Sequence, residues 1–408
     1  MDSRFENSSA AEAFLKNHGH SADDLPAQSC LQRLLREMEQ GLAGEGMIPM
    51  LPSFLSADIR LAPNTRCWIL DAGGTNLRSA SAFFDEAGKC HIEQLRVIPM
   101  PGTEGELTKE AFYETVASQL LWRETAEKVG FCFSYNADMN RDLDGILLAW
   151  CKEVRVPEAV GCLVGASLKQ ALGKKNRAIR VLNDSTAAML GAEGADVAMI
   201  LGTGINVCYS ERCENIPKVP TDLRGETMII STEVGAFDGI PKGDFDLQVI
   251  TDSDIPEEAH AEKQCSGAYL GKIVSLAWHS AAEEGILPSA FTKCSADLAE
   301  ISGYLAGDRD AGIPESETAR QIAVGIVRRA AKIAAILTAG CVLRSMVKDR
   351  PVRIAVEGST FWKLTGFQQQ FCEELSELLV PYGEVFSIVR TENACLIGAA
   401  RAAFAQTM

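Results

Sequence analysis

The sequence has no CxxC pair, no apolar run long enough to span a membrane and no surplus of basic residues. Each absence removes a class of protein. The 13 cysteines are odd in number and scattered, so neither a disulfide framework nor a zinc site is indicated. A reducing compartment is the simpler setting. The opening residues, Met1-Asp2-Ser3-Arg4-Phe5-Glu6-Asn7, lack the charged-then-apolar pattern of a signal segment. With no spanning run either, the expected location is the cytoplasm, and no membrane partner is expected. The formal net charge of −16 argues against a general binder of nucleic acid or anionic membranes, since neither favours an acidic surface. An anionic small substrate stays open, because a few local donors decide that.

What is present is ample core material. The chain has 408 residues, 47% of them hydrophobic, which is long for one core and fits two domains better. It is organised around Leu70-Asp71-Ala72-Gly73-Gly74-Thr75-Asn76-Leu77-Arg78. Cys67–Leu70 reads as a strand, and Leu77–Phe83 can return as a second one. Adjacent glycines between two strands mark a tight turn with exposed backbone N–H groups, a form that can cradle an anion. Asp71 enters the turn and Arg78 leaves it, which suits a phosphate carrying a metal ion. An ordinary Gly-Gly hairpin would look the same, so the loop decides nothing alone.

Residues 1 to about 46 read as two helices. The second carries Leu31, Leu34, Leu35, Met38 and Leu42 as an apolar stripe. Pro49, Pro52 and Pro63 then hold the chain extended. Thr108 can cap a helix with Phe112, Val116 and Leu120 on one face, and Phe131-Cys132-Phe133-Ser134 looks like a buried strand. Strand, helix, strand predicts a mixed sheet with helical cover. Ile179–Leu182 ends at Asn183-Asp184-Ser185-Thr186, which opens a helix. Asp184 there is either an N-cap or a ligand at a strand end, where α/β sheets bind small molecules. Gly202-Thr203-Gly204 turns Val197–Leu201 back into Ile205–Tyr209, a second glycine hairpin. Ile354–Val356 runs into Gly358-Ser359, a third glycine turn. Ile322, Ile326, Ala330, Ile333 and Leu337 form one long helical face, read as core.

These motifs, in this order, resemble the hexokinase branch of the sugar-kinase, actin and heat-shock-chaperone ATPase superfamily. The first loop is similar to LDLGGTN-aromatic-R, differing at Ala72 and Leu77. Phe131–Ser134 resembles the family's FSF run, Trp150-Cys151-Lys152 its WTK motif and Asn183-Asp184 its ND pair. Gly202–Asn206 resembles GTGxN, and Thr232–Phe237 resembles xEWGAF. Glu262–Gly271 is similar to EKMxSGxYLG, and Met50–Phe54 to the proline segment before the first loop. The resemblance spans roughly residues 47–400, and about eight motifs in register are specific where each alone is weak.

The resemblance implies an α/β, two-domain ribonuclease H-like (actin-like ATPase) fold with a cleft between a small and a large mixed-sheet domain. Residues 1–62 would form an N-terminal helical segment and 63–182 the small domain. Residues 183–389 would form the large domain, and 390–408 a C-terminal helix returning to the small one. It implies an ATP-dependent hexokinase that moves the γ-phosphoryl group to the 6-hydroxyl of a hexose, glucose being the expected acceptor. Asp184 would be the base, with Lys152 and Arg78 supplying positive charge. Ser134, Cys151, Lys152, Asn183, Asp184, Asn206, Glu233 and Glu262 would meet the sugar. Asp71, Gly73, Gly74, Thr75, Asn76, Arg78, Gly202, Thr203 and Gly204 would hold the phosphates, and Gly358 and Ser359 the nucleoside end. Asp71 and Asp184 would touch Mg²⁺ through water. Cys151 for Thr, Val234 for Trp and Asn136 for Pro alter the pocket wall, and so bear on hexose selectivity more than on the reaction. Mannose or fructose as acceptor, and a non-catalytic sugar-sensing protein, are the alternatives. A DNA-binding sensor fits poorly, because Glu37, Glu39 and Glu45 leave no basic recognition face near the start.

Overall fold

The computed structural model describes residues 3–120, 127–150, 154–173 and 177–408, with side chains from residue 10. Helices α1 (Ser3–Asn17) and α2 (Ala27–Leu42) open the chain and precede a short strand, β1 (Leu51–Pro52). Next come the hairpin β2 (Cys67–Ala72) and β3 (Asn76–Phe84), strand β4 (Cys90–Pro99), helix α3 (Lys109–Ser118) and strand β5 (Lys128–Phe133). A small hairpin, β6 (Asn136–Met139) and β7 (Gly145–Ala149), leads to α4 (Val164–Ala171) and β8 (Ala178–Leu182). These strands, β1 and the small hairpin apart, form one sheet in the order β4-β3-β2-β5-β8. Its β2, β5 and β8 are parallel, and β3 is antiparallel to β2 and β4. All six residues of β2 are buried, as expected for a central strand covered on both faces.

The second half repeats the plan. Helix α5 (Asp184–Gly191) precedes β9 (Val197–Leu201), β10 (Ile205–Arg212) and β11 (Thr227–Ser231). Helices α6 (Asp244–Thr251), α7 (His260–Cys265), α8 (Gly267–Glu283), α9 (Leu298–Ala306) and α10 (Glu317–Arg344) follow. The chain ends with β12 (Val352–Glu357), α11 (Ser359–Lys363), α12 (Phe367–Leu379), β13 (Phe386–Val389) and α13 (Ala394–Ala402). The sheet order is β1-β11-β10-β9-β12-β13. Three antiparallel strands joined to two parallel ones recur in both sheets, and β1 is the extra edge strand of the second.

Helices α5 and α13 lie between the sheets, each packing on the sheet it does not follow in sequence. They cross at glycines. A Cβ on Gly191 would sit 1.9 Å from the Ala394 carbonyl oxygen, and one on Gly398 would sit 1.8 Å from that of Ala187. Gly130 of β5 admits the Ala399 carbonyl oxygen in the same way. Only glycine allows backbones this close. On the far side of the second sheet lies α10, whose expected core face is wholly buried. In α2, Leu31, Leu34, Met38 and Leu42 of the expected stripe are buried, and Leu34 and Met38 pack over Gly340 of α10. Leu35 is only half-buried. The segment read as simply extended after Pro49 has a defined place, since Leu51 pairs with Ser231 and Pro52 with Ile230.

Candidate active site

Both glycine hairpins form, with exposed tips. In the first turn, Gly73 N–H donates to the Asn76 carbonyl at 3.0 Å. Gly73 and Gly74 are partly exposed, and Thr75 and Asn76 are exposed. The turn is held from below, because Ser134 N–H donates to Ala72 O at 3.1 Å and Tyr135 Oη–H to Gly73 O at 2.7 Å. Arg78 Nε–H donates to Asp71 Oδ2 at 2.8 Å, and Nη2 contacts the same oxygen. Burial pushes the Asp71 carboxyl up, against the pull of the Arg78 guanidinium, and the nearby charge of Asp184 adds to the rise.

The second turn is anchored by its carbonyl oxygens. Gly202 O accepts from Gly267 N–H at 2.8 Å and Thr360 Oγ1–H at 2.7 Å. Thr203 O accepts from Ser266 Oγ–H at 2.7 Å and Ala268 N–H at 3.2 Å. The Thr203 side chain is left at the exposed tip. Gly358 adopts φ +116°, and a Cβ there would meet Leu201 O at 2.1 Å, so the third glycine turn stacks directly against the second. Ser359, exposed, starts α11 beside it.

At the end of β8, Asn183 caps α5, its side-chain oxygen accepting from Ser185 N–H. Asp184 is the first helical residue rather than the cap. Its Oδ1 accepts from Ser185 N–H at 2.8 Å. Asn206 Oδ1 accepts from Val207 N–H at 2.8 Å and Glu233 N–H at 3.0 Å. Its Nδ2 donates to Glu233 Oε1 at 2.6 Å and Ser231 Oγ at 2.9 Å. Asn206 is thereby spent on holding Glu233. Glu233 itself has φ +56°, the left-handed region that a non-glycine residue enters at a cost, most often at a functional site. Burial pushes its carboxyl up to about 6; hydrogen bonds from Ser231 and Asn206 oppose the rise, while the charges of Asp184 and Glu262 add to it. Glu262, on α7, accepts from Ile205 N–H through Oε2 at 3.0 Å. A Cβ on Gly204 would lie 2.5 Å from that oxygen, so the glycine makes room for the acid.

The structure thus brings the first loop, the second loop, Gly358, Ser134, Asn183, Asp184, Asn206, Glu233 and Glu262 to one region between the sheets. Cys151 and Lys152 lie outside the described residues. Just before them Trp150 is fixed, its Nε1–H donating to Val156 O at 2.7 Å and its ring against Phe112, Phe133 and Tyr135. Two site residues escaped the sequence. Ser231 sits at the end of an ordinary apolar strand, and Tyr135 reads as one aromatic among several. Ser231 meets Asn206 and Asn183, 25 and 48 residues away, as well as nearby Glu233, and Tyr135 meets Gly73, 62 residues away, so most of these contacts give no local signal. Leu51, Pro52, Tyr135, Asn136, Asn183, Ser231 and Glu233 line part of a cavity of about 20 Å³. Among the described residues no three His, Cys, Asp or Glu side chains converge as a metal cage, and no helix is long and apolar enough to cross a membrane.

Comparison with known proteins agrees with this geometry. Residues 11–193 and 196–405 match two family models, both described as Hexokinase. Hexokinase-4, chloroplastic, from Oryza sativa subsp. japonica is 29% identical over 91% of this chain and 83% of its own length. Hexokinase-2 of Candida albicans is 29% identical over 65% of this chain, which spans 59% of that relative. The hexokinase from Schistosoma mansoni solved with glucose superimposes with a TM-score of 0.81 at 23% identity, covering 98% of this chain and 99% of that one.

Proposed function

Because the chain belongs to the hexokinase family of phosphotransferases, we propose that it transfers the γ-phosphoryl group of ATP to the 6-hydroxyl of a hexose, glucose first among them. One observation carries the reading. Asp184 stands between the two chemistries, its charge acting on Asp71 of the first phosphate loop and on Glu233 of the carboxylate cluster. A base that takes the sugar's proton as its oxygen bonds to phosphorus belongs at that junction. As the bond to phosphorus forms, the bond from the γ-phosphorus to the bridging oxygen breaks and ADP leaves. Asn183 and the two glutamates offer the sugar fixed hydrogen-bonding groups, and Ser134 would add a hydroxyl from the first half. Cys151 and Lys152 complete this set by resemblance.

The glycine tips offer backbone N–H groups to the phosphates, and Arg78 offers a guanidinium. Gly358 and Ser359 mark the nucleoside end. The carboxylates of Asp71 and Asp184 would help hold Mg²⁺ through water, since hard oxygen donors suit that ion. The ion would neutralise charge building on the phosphates. Ser134 and Lys152 belong to the first half and Glu233 and Glu262 to the second, so a hexose held by both would draw the halves together over it. Closure excludes water as a competing acceptor. The setting we propose is the cytoplasm, which suits twelve described cysteines without a disulfide among them.

The test is ADP release with glucose, mannose, fructose or no sugar. Rapid release with a hexose, matched by hexose 6-phosphate, and slow release without one support the reading. Sugar binding with no turnover for any hexose would replace it with the sugar-sensing alternative.

A further inference from the structure

We propose that Ser231 is a positioning residue for the sugar pocket, its hydroxyl aiming Glu233. The inference rests on the pocket reading above. Ser231 ends β11 and is 3% exposed. Its Oγ accepts from Asn206 Nδ2–H at 2.9 Å and lies 2.8 Å from Glu233 Oε1, 3.2 Å from Ser185 Oγ and 3.4 Å from Asn183 Oδ1. A hydroxyl has one proton and two acceptor sites, so the last three contacts compete for that proton while Asn206 occupies an acceptor site. The short contact to a carboxylate takes the proton, because bonds to charged acceptors are the stronger ones. Asn183 Oδ1 is already served by Ser185 N–H at 2.9 Å and Ser185 Oγ–H at 2.8 Å, and gives up little.

The consequence is an orientation. Ser231 and Asn206 both spend their donors on Glu233 Oε1. Among the described residues Oε2 carries no hydrogen bond, and it is the oxygen left to receive a sugar hydroxyl. Asn183, with its oxygen saturated, has its two Nδ2 protons left to donate. The glutamate is therefore pinned by one oxygen and presented by the other. Leu51, paired with Ser231 across the sheet, fixes the backbone behind this hydroxyl. Removing the hydroxyl leaves Asn206 as the only side-chain donor to Glu233 among the described residues. The carboxylate would then face Asp184 of α5 and Glu262 of α7, two like charges, with less compensation.

The experiment compares Ser231→Ala, Ser231→Thr and Glu233→Gln by steady-state kinetics from pH 5 to 8. Loss of one hydrogen bond to a charged group predicts a sugar KM raised about tenfold in Ser231→Ala. The ATP KM and kcat should stay within about threefold, and the acid limb of kcat/KM for sugar should move to higher pH. Ser231→Thr should restore most of the sugar KM. A purely structural role would lower the melting temperature without moving that limb. If Glu233→Gln raises the sugar KM but Ser231→Ala changes neither KM nor limb, the inference falls and the pocket reading stands. If Glu233→Gln also leaves the sugar KM unchanged, both fall. Should Ser231→Ala fail to fold, Ser231→Cys, a weak donor of similar shape, must show the same KM rise and limb shift in smaller measure, and wild-type values in it would overturn the inference.

Discussion

In the first sheet the glycine turn lies between two charged side chains, Asp71 and Arg78; in the second it carries only the hydroxyl of Thr203. The backbone device is otherwise the same, an antiparallel hairpin beside a parallel strand. The first parallel strand, β5, is followed by Ser134, and its counterpart β12 is followed by Gly358. One end keeps a side chain where the sugar is proposed to lie, and the other clears it away to φ +116°. The turns are also held differently. Carbonyl hydrogen bonds to the start of α8 and to Thr360 fix the second, whereas Tyr135 and Ser134 tie the first to the strand of the sugar side. On the proposed function, a repeated backbone would supply two anion cradles, and a few side chains would decide which one meets the reacting phosphate.

If the halves are structural equivalents, the glycines where their helices cross should be equally sensitive. Gly191→Ala and Gly398→Ala each drive a Cβ into a backbone carbonyl that cannot rotate away. Each should cost about 3 kcal/mol or more, read as a fall in thermal unfolding temperature. A large loss at one position and none at the other would break the equivalence.

The turns should differ in catalysis where they match in shape. Arg78→Ala is expected to lower kcat by about a hundredfold, the usual loss for a donor aimed at developing charge. Thr203→Ala removes one neutral hydroxyl and should cost about threefold to tenfold. Equal effects would mean that charge at the first tip has no special place in the reaction.

The second half also carries a cover that the first lacks, α1 with the turn after it. There His20 is fully buried against the Phe245 ring, and burial lowers its pKa to about 3. Its folded pKa thus lies below the unfolded value of about 6.5, so the unfolded chain binds the extra proton. The stability is intact above pH 6.5 and is lost as pH falls toward 3. Between pH 7 and pH 5 this group should cost about 2 kcal/mol. Denaturant unfolding of wild type and His20→Leu would show it, the variant being flatter with pH over that range.

Much of this was legible because it is local. Two adjacent glycines between apolar runs, or Asn-Asp after a strand, carry their meaning in consecutive residues, and the turns and the α5 start lie where those residues put them. Strand β4 and the hairpin β6–β7 were not legible. Strand β4 is an edge strand with an exposed stretch, a register shift against β3 and Gln94 at φ +55°, so its alternation is blurred. The pairing of β1 with β11 joins Leu51 to Ser231, and no periodicity reports a partner that distant. The hydrogen bonds of the Asn206 amide to Ser231 and Glu233 likewise leave no trace in the sequence pattern.

The most direct measurement is Asp184→Ala, with turnover and sugar affinity determined on the same sample. The account predicts kcat lower by about a thousandfold or more, with the sugar dissociation constant from calorimetry within about threefold of wild type, because the base acts mainly in the transition state. Turnover near the wild-type rate with sugar bound as before would contradict it.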